Sequence, residues 1–310
     1  MILKPLENTK IYGMKKFFNE IITLYNDEKM PNKILLSGKR GSGKSTLAYH
    51  LINYILSKEE EFKYDLNNFN INPENKSFKL LLNKTHPNFY LIDLLSEKKN
   101  IDVTQIREMI TYTNKSSFNN KERFILIDNV ENLNKNSINA LLKIIEEPNE
   151  NVFFILINNN EKYILPTLRS RCLTFKINFS FEESVNIANQ ILGKNILNEI
   201  NHDLMSYYNT TGEMIDLINF SKEKSINLND YNLTTLISLI IENNYYKKDR
   251  FVKNLLINFI ELFFLKEYKL SERKNSLLSF YHKFTKKINN TEKFNLDEES
   301  LFLEFKSELL

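Results

Sequence analysis

A glycine-rich segment at residues 35–46, LLSGKRGSGKST, has the composition of a phosphate-binding loop. The chain contains only 6 glycines, and half of them lie here. Two are separated by four residues, and lysine and serine follow, which matches the P-loop pattern G-x-x-x-x-G-K-[ST]. In such a loop, backbone N–H groups surround phosphate oxygens, the lysine reaches the terminal phosphates and the serine hydroxyl binds magnesium. The candidate nucleotide-binding residues are Gly38, Gly41, Ser42, Gly43, Lys44, Ser45 and Thr46.

An acidic residue at the end of a neighbouring strand usually completes such a site, and the segment FILIDN supplies Asp128. Asp128 and Ser45 are the predicted magnesium ligands. Proteins that hydrolyse nucleotide in this way usually place glutamate directly after the aspartate, as the base that polarises water. Here the position is Asn129, whose amide accepts no proton near neutral pH, and losing a general base costs about 10²–10⁴ in rate. Asn129 could also cap a turn, and Glu131 is expected to point elsewhere.

The elements around these residues predict an α/β fold. Five apolar segments are typical of buried strands: NKILLSG, NFYLIDL, RFILID, NVFFILI and LTFKIN. Helical patterns alternate with them, among them KSTLAYHLINYIL, the segment IDVTQIREMITYT with a capping box, and NKNSINALLKIIEEP, stopped by Pro148. This alternation predicts a parallel sheet with helices on both faces. Because a strand precedes the loop and a helix follows it, a phosphate site is favoured over a glycine-rich turn without ligand.

The pattern predicts three domains. Residues 1–178 form the nucleotide-binding domain, with a polar surface excursion at 57–77. Strand signals end after about residue 179, and SFEESVNIANQIL opens a helical region with a second capping box. We expect a small helical lid at 179–222 and an all-helical domain at 223–310.

Composition excludes several classes of function. The formal net charge of +3 is too small to indicate nucleic-acid binding by bulk charge. The single cysteine, Cys172, permits no internal disulfide, fits a reducing cytosol and is interpreted as a packing residue. With four scattered histidines it predicts no zinc site. The N-terminus lacks a signal peptide and LLINFIELFF is too short to span a bilayer, so we expect a cytoplasmic protein without membrane contact.

Residues 124–172 carry an ordered set of motifs: the strand ending in Asp128, NALLKIIEEP, FFILI and LRSRC. Together with THPNFYLID, IDVTQIREM and IYG, they resemble bacterial clamp-loader subunits of the AAA+ class, closely over residues 1–178 and by architecture beyond. The resemblance implies an AAA+ domain, a lid and a collar that holds a five-subunit ring. It also implies delta and gamma/tau subunits as partners, with the ring placing a sliding clamp on primed DNA.

The same resemblance assigns Arg171, in the SRC triplet, as a finger that acts in trans on the γ-phosphate held by the adjacent subunit. An ordinary surface arginine is the alternative. The family contains motors, which hydrolyse ATP, and a stator, which presents its arginine to a motor. Asn129, the absence of an arginine after Gly212 in TTGEMIDLI and a length that ends at the collar favour the stator. Its own ATPase is then weak or absent.

Two departures from the family bear on ligands. The four-cysteine zinc module that many members carry after the P-loop helix is missing here. The P-loop, which several stators have lost, is intact, so we expect ATP or ADP, with magnesium, to bind. The alternatives are an ATP-hydrolysing motor of the gamma/tau type, an unrelated P-loop NTPase such as a small nucleotide kinase, and a scaffold that binds no nucleotide.

Overall fold

The computed structural model describes residues 4–95, 98–115, 121–147, 149, 151–206, 209–270, 272, 274–294 and 297–309. Its five strands form one parallel sheet in the order β2-β3-β4-β1-β5. The strands are β1 (Lys33–Ser37), β2 (Phe89–Ile92), β3 (Arg123–Ile127), β4 (Val152–Asn158) and β5 (Leu173–Lys176). The order is that of a doubly wound fold, so the α/β class that the pattern predicts is confirmed.

Seven helices accompany the sheet: α1 (Lys15–Asn26), α2 (Lys44–Leu56), α3 (Lys76–Leu82), α4 (Val103–Asn114), α5 (Lys135–Glu146), α6 (Pro166–Arg169) and α7 (Phe181–Leu192). The later ones are α8 (Thr211–Lys224), α9 (Leu233–Glu242), α10 (Tyr245–Lys248), α11 (Arg250–Leu270), α12 (Lys274–Phe294) and α13 (Glu299–Leu309). Within the described ranges, no helix is long and apolar enough to cross a membrane.

The sheet separates two apolar cores, because successive side chains of a strand point to opposite faces. Ile34 and Leu36 of β1 enter the core beneath α1 and α2, whereas Leu35 enters the core beneath α4 and α5. All five residues of β3 are buried. The sheet is thus covered on both faces, as a parallel sheet requires.

Capping-box residues mark the start of two helices. At α4, the Asp102 backbone N–H donates to Gln105 Oε1 at 3.1 Å. At α7, the Ser180 N–H donates to Glu183 Oε2 at 2.8 Å and the Glu183 N–H donates to Ser180 Oγ at 3.2 Å. Both predicted capping boxes are therefore confirmed. Helix α5 ends at Glu146, and Pro148, the predicted stop, lies outside the described residues.

The polar composition of residues 57–77 predicted a surface excursion, but part of this segment is buried. Tyr64 and Ile71 are buried in the core beneath α1 and α2, and Asn75 caps α3 by accepting from the Phe78 N–H at 2.7 Å. Tyr64 and Ile71 are isolated apolar residues within a polar stretch and gave no periodic signal, although both are anchored in the core.

The chain forms two compact units. The first comprises Met1–Gly193 and Thr210–Met214, and the second comprises Lys194–Asn209 and Ile215–Leu310. The second unit is all-helical, with an aromatic core in which Phe264 lies within 6 Å of the Phe284 and Phe305 rings. The division into three domains stays a prediction.

Candidate functional site

The backbone of the glycine-rich loop takes conformations that only glycine adopts easily. Gly41 and Gly43 have φ angles of 78° and 85°, in the left-handed region. Gly38 needs its missing side chain for another reason, since a Cβ there would lie 2.1 Å from the Ile177 carbonyl oxygen. The three glycines let the loop turn sharply from β1 into the N-terminus of α2, where N–H groups point outward and favour an anion.

Lys44, the first residue of α2, is only 2% exposed. Its ammonium group donates to the carbonyl oxygens of Lys39 at 2.6 Å and Gly38 at 3.0 Å. Burial lowers the pKa of Lys44 to about 8, because desolvation disfavours the charged form. The loop therefore encloses the desolvated ammonium group of Lys44.

Ser45 and Asp128, the predicted magnesium ligands, are brought together. The Ser45 hydroxyl donates to Asp128 Oδ2 at 2.7 Å, across the gap between the loop and the end of β3. Burial and the neighbouring charge of Asp93 raise the pKa of Asp128. A hydroxyl and a carboxylate are oxygen ligands of the kind that magnesium prefers, together with phosphate oxygens, so the pair fits the predicted role.

The Asn129 amide bridges two neighbouring strand ends. Its Nδ2 donates to Asp93 Oδ1 at 2.7 Å, and its Oδ1 accepts from Asn159 Nδ2 at 2.9 Å. Its backbone has a left-handed φ of 57° and leads into a short turn. Asn129 therefore links this edge of the sheet through both ends of its amide. An amide is not basic near neutral pH, so the side chain offers no general base for water.

Two polar residues of this edge were missed by the sequence argument: Asp93 after β2 and Asn159 after β4. Glu131, which was expected to point elsewhere, contacts Asn159 of the same edge. Glu131 is 7% exposed, and its Oε1 accepts from the Asn159 N–H at 3.1 Å. Within the described chain its Oε2 has no partner, and burial raises the pKa of this carboxyl. The rule that carboxyl ends of parallel strands share one edge could have found Asp93 and Asn159.

The start of α8, with Thr210 just before it, packs directly on the glycine loop. The Thr210 hydroxyl donates to the Arg40 carbonyl at 2.8 Å, and the Gly212 N–H donates to the Gly41 carbonyl at 2.9 Å. A Cβ on Gly212 would lie 2.5 Å from the Gly41 Cα. The Glu213 carboxylate accepts from the Thr210 N–H at 2.8 Å and caps α8. This glutamate follows Gly212, the position after which a motor was expected to carry an arginine. The contact with the loop is made by backbone and hydroxyl groups.

Arg171 lies away from these loop contacts, just after α6. Its Nη1 donates to the Thr167 carbonyl at 2.8 Å and its Nη2 to Glu146 Oε1 at 2.6 Å. The side chain is 36% exposed. The next residue, Cys172, packs against the core beneath α4 and α5, and burial raises the pKa of its thiol to about 11. A thiol in that state is a packing group.

In the part of the chain that the structure describes, the side chains alone form no metal-binding centre. No group of three His, Cys, Asp or Glu residues is arranged there to hold an ion. Ser45 with Asp128 supplies two protein ligands, which suits an ion that phosphate and water also bind. The expected absence of a zinc site stays a prediction.

Comparison with known proteins shows where the chain belongs. Residues 13–180 match the family described as "DNA polymerase III, delta subunit". The chain is 32% identical to DNA polymerase III subunit gamma of Buchnera aphidicola subsp. Schizaphis graminum over 76% of this chain and 64% of that protein. It thus spans just under two thirds of that relative. It is 29% identical to subunit delta' of the same organism, over 89% of this chain and 84% of that protein.

A solved structure agrees in fold. A DNA polymerase III gamma subunit-related protein of Thermotoga maritima superposes with a TM-score of 0.50 at 17% identity, over 93% of this chain and 97% of that one. This likeness concerns the fold alone and agrees with the expected AAA+ architecture. Because the matched residues 13–180 make up more than half of the sequence, the chain belongs to the DNA polymerase III delta-subunit family of clamp-loader proteins.

Proposed function

We propose that this chain is the delta-prime stator of a DNA polymerase III clamp loader. It assembles with delta and gamma/tau subunits, and the assembled ring places a sliding clamp on primed DNA. Its contribution to catalysis is Arg171, presented in trans to the γ-phosphate that a neighbouring motor holds. The observation that carries the proposal is a pairing. An exposed arginine is retained in the SRC triplet, whereas the Asn129 amide occupies the position of the motor's catalytic glutamate.

The chain's own loop has a separate role in this proposal, which is binding without efficient turnover. Residues Gly38–Thr46 hold the phosphates of ATP or ADP, with Lys44 as the cation, and Ser45 and Asp128 hold magnesium. When bound, magnesium neutralises phosphate charge and orients the phosphates. The left-handed glycines, the buried Lys44 and the Ser45–Asp128 hydrogen bond support binding. The Asn129 amide and the lid segment without arginine support weak or absent hydrolysis.

The proposed working parts follow the predicted domains: an AAA+ domain at 1–178, a lid at 179–222 and a collar at 223–310 that joins the ring. The protein would work in the cytoplasm and would meet DNA through the assembled complex.

Reconstitution with the other subunits tests the proposal. We expect Arg171→Ala to lower hydrolysis at the adjacent motor site on the order of 10³-fold, because an arginine finger stabilises charge in the transition state. Lys44→Ala should change the DNA-stimulated ATPase of the complex little. The opposite ranking would make this subunit a motor and contradict the stator assignment.

A second candidate is an ATP-hydrolysing motor of the gamma/tau type. It is favoured by the 32% identity to a gamma subunit and by the intact P-loop. The isolated chain should then release phosphate from ATP, and Lys44→Ala should abolish that release. Measurable wild-type turnover that Lys44→Ala removes would favour this candidate over the stator.

A further inference from the structure

Arg171 is held at two points by groups of its own subunit. One is the backbone carbonyl of Thr167 on α6, at 2.8 Å from Nη1. The other is the carboxylate of Glu146, the last residue of α5, at 2.6 Å from Nη2. These two partners come from different helices, so the guanidinium plane is fixed by two elements of the fold.

The two contacts leave most of the guanidinium available. It carries five N–H groups in one plane, and the contacts with Thr167 and Glu146 use one on each terminal nitrogen. The remaining N–H groups have the fork geometry that suits phosphate oxygens. The arginine side chain is 36% exposed, so part of it is open to a second molecule.

Glu146 does not stabilise α5 at its position. The C-terminus of a helix carries partial negative charge, so an acidic residue there is unfavourable by a few tenths of a kcal/mol. Its neighbour Glu147 shares this disadvantage, yet in the described part of the chain only Glu146 of the two contacts Arg171. The carboxylate at 146 therefore acts on the arginine.

We propose that Glu146 is a positioning residue for Arg171, which fixes the guanidinium in the orientation that meets the neighbour's phosphate. This inference rests on the proposed trans role of Arg171. A free arginine loses substantial rotamer entropy when it is immobilised, and a contact formed beforehand removes part of that cost from the transition state. Glu146 itself touches no phosphate, since two negative groups would repel.

The test uses a reconstituted complex whose only active motor site adjoins this subunit. We expect Glu146→Ala to lower kcat for DNA-stimulated ATP hydrolysis about two- to fivefold, in line with an exposed ion pair. The KM for ATP should not change, because the arginine acts on the transition state and other groups bind the substrate. Glu146→Gln keeps the Oε1 acceptor and should recover at least half of the loss. Glu147→Ala is the matched control and should equal wild type.

Two comparisons make the result decisive. On an Arg171→Ala background, Glu146→Ala should have no further effect, because the residue it positions is gone. An unchanged or higher kcat in Glu146→Ala, while Arg171→Ala lowers it, would overturn the positioning role and leave the finger intact. An unchanged kcat in Arg171→Ala would overturn the finger itself. Equal losses in Glu146→Ala and Glu147→Ala would assign the effect to the end of α5 and would also overturn the positioning role.

Discussion

The glycine loop and the Arg171 surface hold their cations in opposite ways. Lys44 is 2% exposed and is surrounded by carbonyl oxygens of its own loop. The Arg171 side chain is 36% exposed and is held by one carbonyl and one carboxylate. A buried lysine can serve only a ligand that enters the loop, whereas an exposed, oriented arginine can serve a ligand that another molecule holds.

In the proposed function, the two regions also differ in their catalytic groups. The loop keeps groups suited to binding, with Ser45 beside Asp128, but its edge carries the Asn129 amide in place of a base. In the proposed function, Arg171 supplies a cation for a neighbour's transition state, and its hydrogen-bond partners Thr167 and Glu146 lie outside the glycine loop. Binding and hydrolysis depend on different atoms, so one can be lost while the other remains.

Acid should destabilise the unit that carries the glycine loop. His50 on α2 is fully buried, with its ring nitrogens 2.9 Å from the Tyr64 hydroxyl and the Asn8 carbonyl oxygen. Burial lowers the pKa of His50 to about 4, from 6.5. The unfolded chain therefore binds a proton that the folded one does not, and stability falls as the pH drops from 6.5 towards 4, by on the order of 3 kcal/mol.

Urea unfolding followed by circular dichroism at several pH values checks this expectation. His50→Gln should make the dependence between pH 6.5 and 4 less steep. A remaining slope is expected from His86 in the same unit, because burial also lowers the pKa of His86 to about 4. His202→Gln, in the second unit, is the control and should keep the wild-type slope. A wild-type midpoint that does not fall over this window would contradict the buried neutral state of His50.

Lys44→Ala should separate the two regions most directly at the level of ligand binding. Hydrogen bonds to charged groups are worth about 1.5–3 kcal/mol, so the affinity of the isolated chain for ATP should fall roughly 10- to 100-fold. Arg171→Ala should leave that affinity unchanged, because its contacts lie at α5 and α6. Equilibrium dialysis of the isolated chain measures both. If the wild-type chain binds no nucleotide, the scaffold alternative holds.

The close approach of Gly212 to Gly41 gives a third test. A Cβ at position 212 would meet the Gly41 Cα at 2.5 Å, and forcing atoms into a packed contact costs about 1–3 kcal/mol. Gly212→Ala should therefore lower the thermal midpoint and weaken nucleotide binding together. Gly193→Ala is the matched control: it has a φ of 67° but no atom within 4 Å of the added Cβ. It should lower the midpoint by less and leave binding unchanged.

Local patterns predicted much of this molecule. The parallel sheet, both capping boxes and the approach of Ser45 to Asp128 follow from hydrophobic period, from cap residues and from the rule that strand ends share one edge. The family match bears out the motifs of residues 124–172 and excludes an unrelated P-loop NTPase. Helix α1 was not predicted, although Phe18, Ile21 and Ile22 have helical spacing and are buried.

Contacts between distant segments could not be predicted in this way. Gly41 meets Gly212, and Glu146 meets Arg171, only because the fold brings separate elements together. The Asn129 bridge likewise depends on strand order, which places the ends of β2 and β4 on either side of β3. The single-residue reading of Asn129 as a lost base gave no hint that its amide joins Asp93 to Asn159.

Asn129→Glu should have the smallest effect, and it tests whether the missing base is the only defect of the loop. Restoring a well-placed general base would raise turnover about 10²–10⁴-fold. We expect less than tenfold, because the Asn129 amide donates to Asp93 Oδ1 at 2.7 Å. A glutamate has no such donor and would place a second carboxylate against the first. That repulsion turns the new side chain away from the site.

Phosphate release by the isolated Asn129→Glu chain measures this effect, with Asn129→Gln as the control that keeps an amide. The double change Asn129→Glu with Asp93→Asn removes the repulsion and restores a donor facing the new carboxylate, so it should exceed Asn129→Glu alone. A gain of 10²-fold or more from the single change would mean that the loop lacks nothing but its base. The glycine loop would then be a motor site one substitution away from activity, and the contrast with the Arg171 surface would rest on residue 129 alone.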